Sequence, residues 1–180
     1  MYIDRERKMI YLAHPRTAST ATAAFLQTIG FEPSHGHHSM MWSPGCPITE
    51  DERGEYEVFT TIRNHYDTLV SWFHVYLDTA LTELPIIEAS FYRSLDPKYV
   101  KPHSLWWMHM PDADVILRYE TLDEDLSLLL GLDVEVPFKN VSRRRGDKHY
   151  SAFYSERARE HAEARFSEEI ERCGYDFEQE

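Results

Sequence analysis

A chain of 180 residues with a net charge of −12 is long enough for one domain with a real core. It is too acidic to present the basic face that a nucleic acid polymer requires. Four Trp, eleven Tyr and nine Phe exclude global disorder, and no run approaches the ~18 apolar residues of a membrane span. Met1 to Lys8 is charged and holds no apolar segment with a cleavage site, so no signal peptide is expected. With only two cysteines, Cys46 and Cys173, the expected setting is reducing and cytoplasmic.

In chain order, residues 9–14 read as a buried strand, and residues 17–29 as a helix with Ala21, Ala24, Phe25 and Ile29 on one face, closed by Gly30. Residues 31–54 are broken by Pro33, Gly36, Pro44, Gly45, Pro47 and Gly54, with room for a short strand near Phe31 to His35. Residues 57–63 are the clearest β-rich run. A helix follows over 65–81, where Tyr66, Leu69, Val70, Phe73, Tyr76, Leu77 and Ala80 recur at helical spacing. Short helices are expected around 86–95 and 104–110, then a strand at 114–119. Thr121 and Gly131 are positioned to bound one further helix, and Ser155 and Gly174 the last.

This alternation predicts a single α/β domain over residues 1–180, with a mainly parallel central sheet flanked by helices. In such sheets ligands bind at the carboxyl ends of the strands. Three polar features fall there: His14 to Thr20, Arg63-Asn64, and Glu120. The first, His-Pro-Arg-Thr-Ala-Ser-Thr, sits between a strand and a helix N-terminus, where backbone N–H groups and the helix dipole favour an anion. Arg16 adds a permanent cation, and Thr17, Ser19 and Thr20 add hydroxyls. Arg143-Arg144-Arg145 stands out against the acidic background, as a solvated loop or as a local anion contact.

The loop lacks the Gly-Lys-Ser/Thr of nucleoside triphosphatases, and no Gly-x-Gly-x-x-Gly occurs. Pro15-Arg16-Thr17-Ala18-Ser19-Thr20 instead resembles the 5′-phosphosulfate loop of sulfotransferases that use 3′-phosphoadenylyl sulfate (PAPS), with Ala18 in place of the usual Gly. Arg63-Asn64-His65-Tyr66-Asp67 through Val70-Ser71 is similar to that family's 3′-phosphate segment. Arg63 and Ser71 keep its spacing of eight, and His65 stands where Pro is usual. Leu105-Trp106-Trp107, the run Val115 to Leu122, Asn140 to Lys148, and Gly174-Tyr175-Asp176 extend the likeness over roughly residues 9–177.

The resemblance implies a small prokaryotic- or viral-type member with P-loop-like sulfotransferase architecture. The implied reaction is in-line transfer of a sulfuryl group from PAPS to an acceptor hydroxyl or amine, releasing adenosine 3′,5′-bisphosphate. Arg16, Thr17, Ala18, Ser19 and Thr20 would hold the 5′ side. Arg63, Ser71 and one or more of Arg143, Arg144, Arg145 and Lys148 would hold the 3′-phosphate. Arg16 would act by charge, since a guanidinium does not readily release a proton; no metal is called for. A His or Glu base after the first helix is implied, and Ser34-His35-Gly36-His37-His38 lies there. His37 or His38 is favoured over His35, with Glu120 as an outside candidate. The acceptor, a glycan, lipid, peptide or small molecule, would meet residues 39–56 and 82–112, where Trp106 or Trp107 could line a pocket. Two other readings are a P-loop-like small-molecule kinase and a non-catalytic nucleotide-binding protein of the same fold.

Overall fold

The computed structural model describes residues 1–39, 41, 43–79, 110–137 and 148–177. Its elements are β1 (Tyr2–Asp4), β2 (Met9–Leu12), α1 (Ser19–Thr28), β3 (Glu32–Pro33), α2 (Glu50–Arg53), β4 (Glu57–Ile62), α3 (His65–Thr79), β5 (Val115–Arg118), α4 (Leu122–Leu130) and α5 (Glu156–Cys173). Single 3-10 turns lie at Met110–Asp112, Tyr119–Thr121 and Tyr150–Phe153. The short helices expected at 86–95 and over most of 104–110 lie outside the described residues. The chain divides into two compact units, Met1–Ile62 with Ser104–Asn140, and Arg63–His103 with Val141–Glu180.

The first unit holds a five-stranded open sheet in the order β3-β1-β2-β4-β5. It is mixed where a mainly parallel sheet was expected. β2 with β4 and β4 with β5 are parallel, but β1 pairs antiparallel with both β2 and β3. The cause is an N-terminal hairpin with no Gly, Pro or Asn to announce it. Asp4 Oδ1 accepts the backbone N–H groups of Glu6 and Arg7 at 3.0 and 2.9 Å, and Lys8 takes φ 56°. An aspartate-headed turn and a left-handed Lys thus do the work usually left to glycine.

Side chains alternate across this sheet as a strand period of two requires. Tyr2, Met9, Tyr11, Phe59 and Leu117 point to one face, where Ala21, Ala23 and Leu26 of α1 and Leu122 and Leu126 of α4 cover them. Met1, Ile3, Ile10, Leu12 and Val58 point to the other, covered by Met41, Ile48 and Tyr56 from the irregular segment. Each buried Leu, Ile, Val, Met or Phe among them contributes about 2 kcal/mol. That segment also contains α2, unannounced by any apolar periodicity and held by a capping box between Thr49 and Glu52.

The second unit packs α3 against α5. Tyr66, Leu69 and Val70 meet Tyr150, Ala158, Ala162 and Phe166. Ser155 caps α5 by accepting the N–H of Ala158 at 3.3 Å, and Gly174 ends it in the left-handed region, both as the sequence predicts. Gly131 ends α4 in the same way. Thr121 precedes α4 but makes no side-chain cap. Its hydroxyl donates to Asp125 at 3.0 Å, and Asp125 also accepts the N–H of Arg118 at 2.8 Å.

Candidate functional site

The segment 13–18 leaves the carboxyl end of β2, which runs parallel to β4. His14, Pro15 and Thr17 are buried, while Arg16 and Ala18 are half-buried. Two left-handed residues bend the loop, Arg16 at φ 69° and Ala18 at φ 58°, ψ 17°. Neither is glycine, so the conformation is held against a steric cost of about 1–2 kcal/mol for each. The Ala18 carbonyl accepts the N–H groups of Ala21 and Thr22 at 2.8 and 3.0 Å. As the N-cap of α1, Ala18 offers no side-chain hydrogen bond to the first turn. The N-cap side chain therefore brings no acceptor to the first-turn amides, the position where helix N-termini receive anions.

The hydroxyls divide by role. Thr17 is fully buried and donates to the His14 carbonyl at 2.9 Å, so its proton is spent stitching the loop and not on an anion. Ser19 is buried at the first turn of α1, and Thr20 is exposed.

The expected histidine segment lies in the same unit. His38 is exposed, and its Nδ1 lies 2.7 Å from the carbonyl oxygen of Ala13, the residue that opens the loop between β2 and α1. His37 is half-buried; its Nδ1 lies 2.6 Å from the Tyr2 hydroxyl, and its Nε2 is buried without a hydrogen-bond partner. Burial, with added repulsion from His38 and the Met1 ammonium, pushes the His37 pKa down to about 4. His35 is half-buried and packs beside Gly45, a glycine at φ 89°.

In the second unit, Arg63 follows β4 directly and is buried, with its guanidinium on Asp67. Ser71 is buried two turns into α3. Lys148 is exposed, two residues ahead of the buried Tyr150. Arg143, Arg144 and Arg145 lie outside the described residues, as do Trp106 and Trp107. Asn64 proves more important than its place in the motif suggests. Its side-chain oxygen accepts the N–H of Tyr66 at 3.0 Å, capping α3. Its amide nitrogen donates to the Tyr150 hydroxyl and the Asp176 carbonyl, each at 3.1 Å. One side chain thus ties the start of α3 to both ends of the C-terminal segment. The only sequence signal was an Asn immediately before a helical pattern.

Glu120 is exposed on the 3-10 turn after β5, and the carboxylate that organises this corner is Asp125. Cys46 and Cys173 are free thiols, half-buried and buried. Among the described residues, no three His, Cys, Asp or Glu side chains are grouped to hold a metal ion, and no helix is long and apolar enough to cross a membrane.

No known protein family matches the chain and no curated protein matches it, so function has to be read from these residues and their geometry.

Proposed function

We propose that the protein is a PAPS-dependent sulfotransferase of P-loop-like architecture, acting in a cytoplasmic setting. The observation that carries the reading is the loop between β2 and α1. It leaves a strand end, bends through left-handed Arg16 and Ala18, and leads into a helix whose N-cap residue supplies no side-chain cap. A strand-end loop opening a helix N-terminus favours an anion, and this supports a 5′-phosphosulfate at the motif the resemblance singles out.

PAPS supplies the sulfuryl group to the reaction and leaves as adenosine 3′,5′-bisphosphate. Arg16 and the amides of the first turn of α1 offset negative charge developing on the 5′ side. Ser19 and Thr20 add hydroxyl donors there, while Thr17 holds the loop in shape. Arg63 and Ser71, with Lys148 and the Arg143 to Arg145 cluster, are assigned to the 3′-phosphate. Of the two favoured histidines, His38 is the better base. A carbonyl oxygen can only accept, so its bond to Ala13 puts the proton of the neutral ring on Nδ1 and the lone pair on Nε2. His38 Nε2 then takes the proton of the attacking hydroxyl or amine. His37 offers no comparable nitrogen, since one is engaged by Tyr2 and the other is buried.

Calorimetry without added metal tests the reading, comparing adenosine 3′,5′-bisphosphate with adenosine 5′-phosphate and ATP. Tight binding that depends on the 3′-phosphate, and that weakens about tenfold or more in Arg63→Ala, is expected. Metal-dependent preference for ATP would replace the reading with the kinase alternative. Intact bisphosphate binding without transfer to any acceptor would leave the non-catalytic alternative.

A further inference from the structure

The histidine pair beside the anion loop is braced by a residue from β1. The Tyr2 hydroxyl meets His37 Nδ1 at 2.6 Å, and the Tyr2 ring stands edge-on to the His37 ring, with centroids 5.6 Å apart at 82°. The His37 ring in turn packs on the His38 ring at 4.3 Å. His38 ends the series on the Ala13 carbonyl.

We propose that Tyr2 is a positioning residue for His38, acting through the His37 ring so that His38 keeps Nδ1 on Ala13 and presents Nε2 as its basic nitrogen. The catalytic consequence rests on the sulfotransferase reading; the tautomer does not.

An exposed imidazole held by one hydrogen bond can rotate about that bond, and a ring packed against one side limits the rotation. His37 can serve as that wall only if its own orientation is set. Tyr2 sets it, and Tyr2 is itself 8% exposed and packed against Tyr11 with ring centroids at 6.3 Å. The wall must also stay neutral, because a cation beside His38 would oppose protonation of the base. Around His37 stand the Tyr2 hydroxyl, the His38 ring and the Met1 amino group, with no carboxylate among its named neighbours to favour a charged ring. The Met1 amino group donates to the carbonyls of His35, Gly36 and His37 and so holds the same segment. Burial also raises the Tyr2 pKa, which keeps its hydroxyl proton in place.

The test is nitrogen-15 NMR of the ring nitrogens of the full chain at about pH 8, where an ordinary imidazole is neutral. In the unaltered protein, His38 is expected as the single Nδ1–H tautomer. In Tyr2→Phe, which keeps the packed ring, and in His37→Leu, which removes the wall, it is expected as a mixture. An Nε2–H tautomer in the unaltered protein, or an unchanged single tautomer in Tyr2→Phe, overturns the proposal. Should Tyr2→Phe fail to fold, His37→Leu decides alone. Once an acceptor is known, Tyr2→Phe is expected to lower kcat about tenfold while adenosine 3′,5′-bisphosphate affinity stays within about twofold; an unchanged kcat also overturns it. Failure of the sulfotransferase reading is seen separately, as absent bisphosphate binding in the unaltered protein.

Discussion

Arg63 and Asp67 form a buried ion pair one helical turn apart. Nε and Nη2 of the arginine lie 2.8 and 2.6 Å from the same carboxylate oxygen. The pair aims the guanidinium and offsets part of its charge. Asp67→Ala removes that counter-charge and leaves Arg63 buried beside a void. The variant is expected to lose about 3 kcal/mol, read as a lower urea midpoint at unchanged slope. Adenosine 3′,5′-bisphosphate should restore more of the midpoint in the variant than it adds to the unaltered protein. An unshifted midpoint would mean that the pair contributes no net stability.

Ala18 holds a left-handed conformation that glycine adopts without steric cost. Ala18→Gly relieves a strain of about 1–2 kcal/mol and gives back part of it through the freer unfolded chain. The expected net gain is about 0.5–1 kcal/mol, or a rise of roughly 1–4 °C in Tm for a chain of this size. Scanning calorimetry measures it. A fall in Tm would show that the Ala18 methyl contributes packing worth more than the strain it causes.

Asn64 caps α3 and bridges to Tyr150 and Asp176 through three hydrogen bonds. Its loss strands the Tyr66 amide and removes a partner from two acceptors. Asn64→Ala is expected to cost about 2–3 kcal/mol. Asn64→Asp keeps the cap but not the amide donors, and should fall between the two. Chemical denaturation of the three proteins ranks them; equal losses for Ala and Asp would assign the whole effect to the donors.

His37 gives the stability a pH dependence whose sign follows from its lowered pKa. An unfolded chain binds the proton near 6.5, and the folded protein resists it down to about 4. Between those values the unfolded state holds more protons, so stability falls as pH falls through this window. His37→Gln should flatten that part of the curve, seen as a narrowing difference in urea midpoint between the two proteins from pH 7 to pH 4. Parallel curves would mean that His37 titrates alike in both states.

Much of the candidate site was legible because its parts are local. A polar loop between a β-run and a helical run marks the turn after a strand end, and Arg63 was marked by following the clearest strand. The functions of individual side chains were less legible. Thr17 carries the hydroxyl an anion site calls for, yet that hydroxyl turns inward to His14. Position 18 is alanine and not glycine, yet the backbone there is left-handed all the same. Residue type records what a group is able to do, and the loop's geometry decides which partner it meets.

Local residue patterns were enough for the elements whose stability is written within a few neighbouring residues: β2, α1, β4, the start of α3, β5 and α5, with Ser155, Gly131 and Gly174 at helix ends. Periodicity and capping act over one or two turns, so they leave a local trace. Long-range pairing alone produced β1, which has three residues and exists because it pairs with β2 and β3, and it confirmed a two-residue β3 inside the Phe31 to His35 stretch where a short strand was expected. It alone joined Tyr2 to His37 across 35 positions and Asn64 to Asp176 across 112. Such contacts depend on which surfaces the folded chain brings within about 3 Å of each other, and no short stretch of sequence contains that distance.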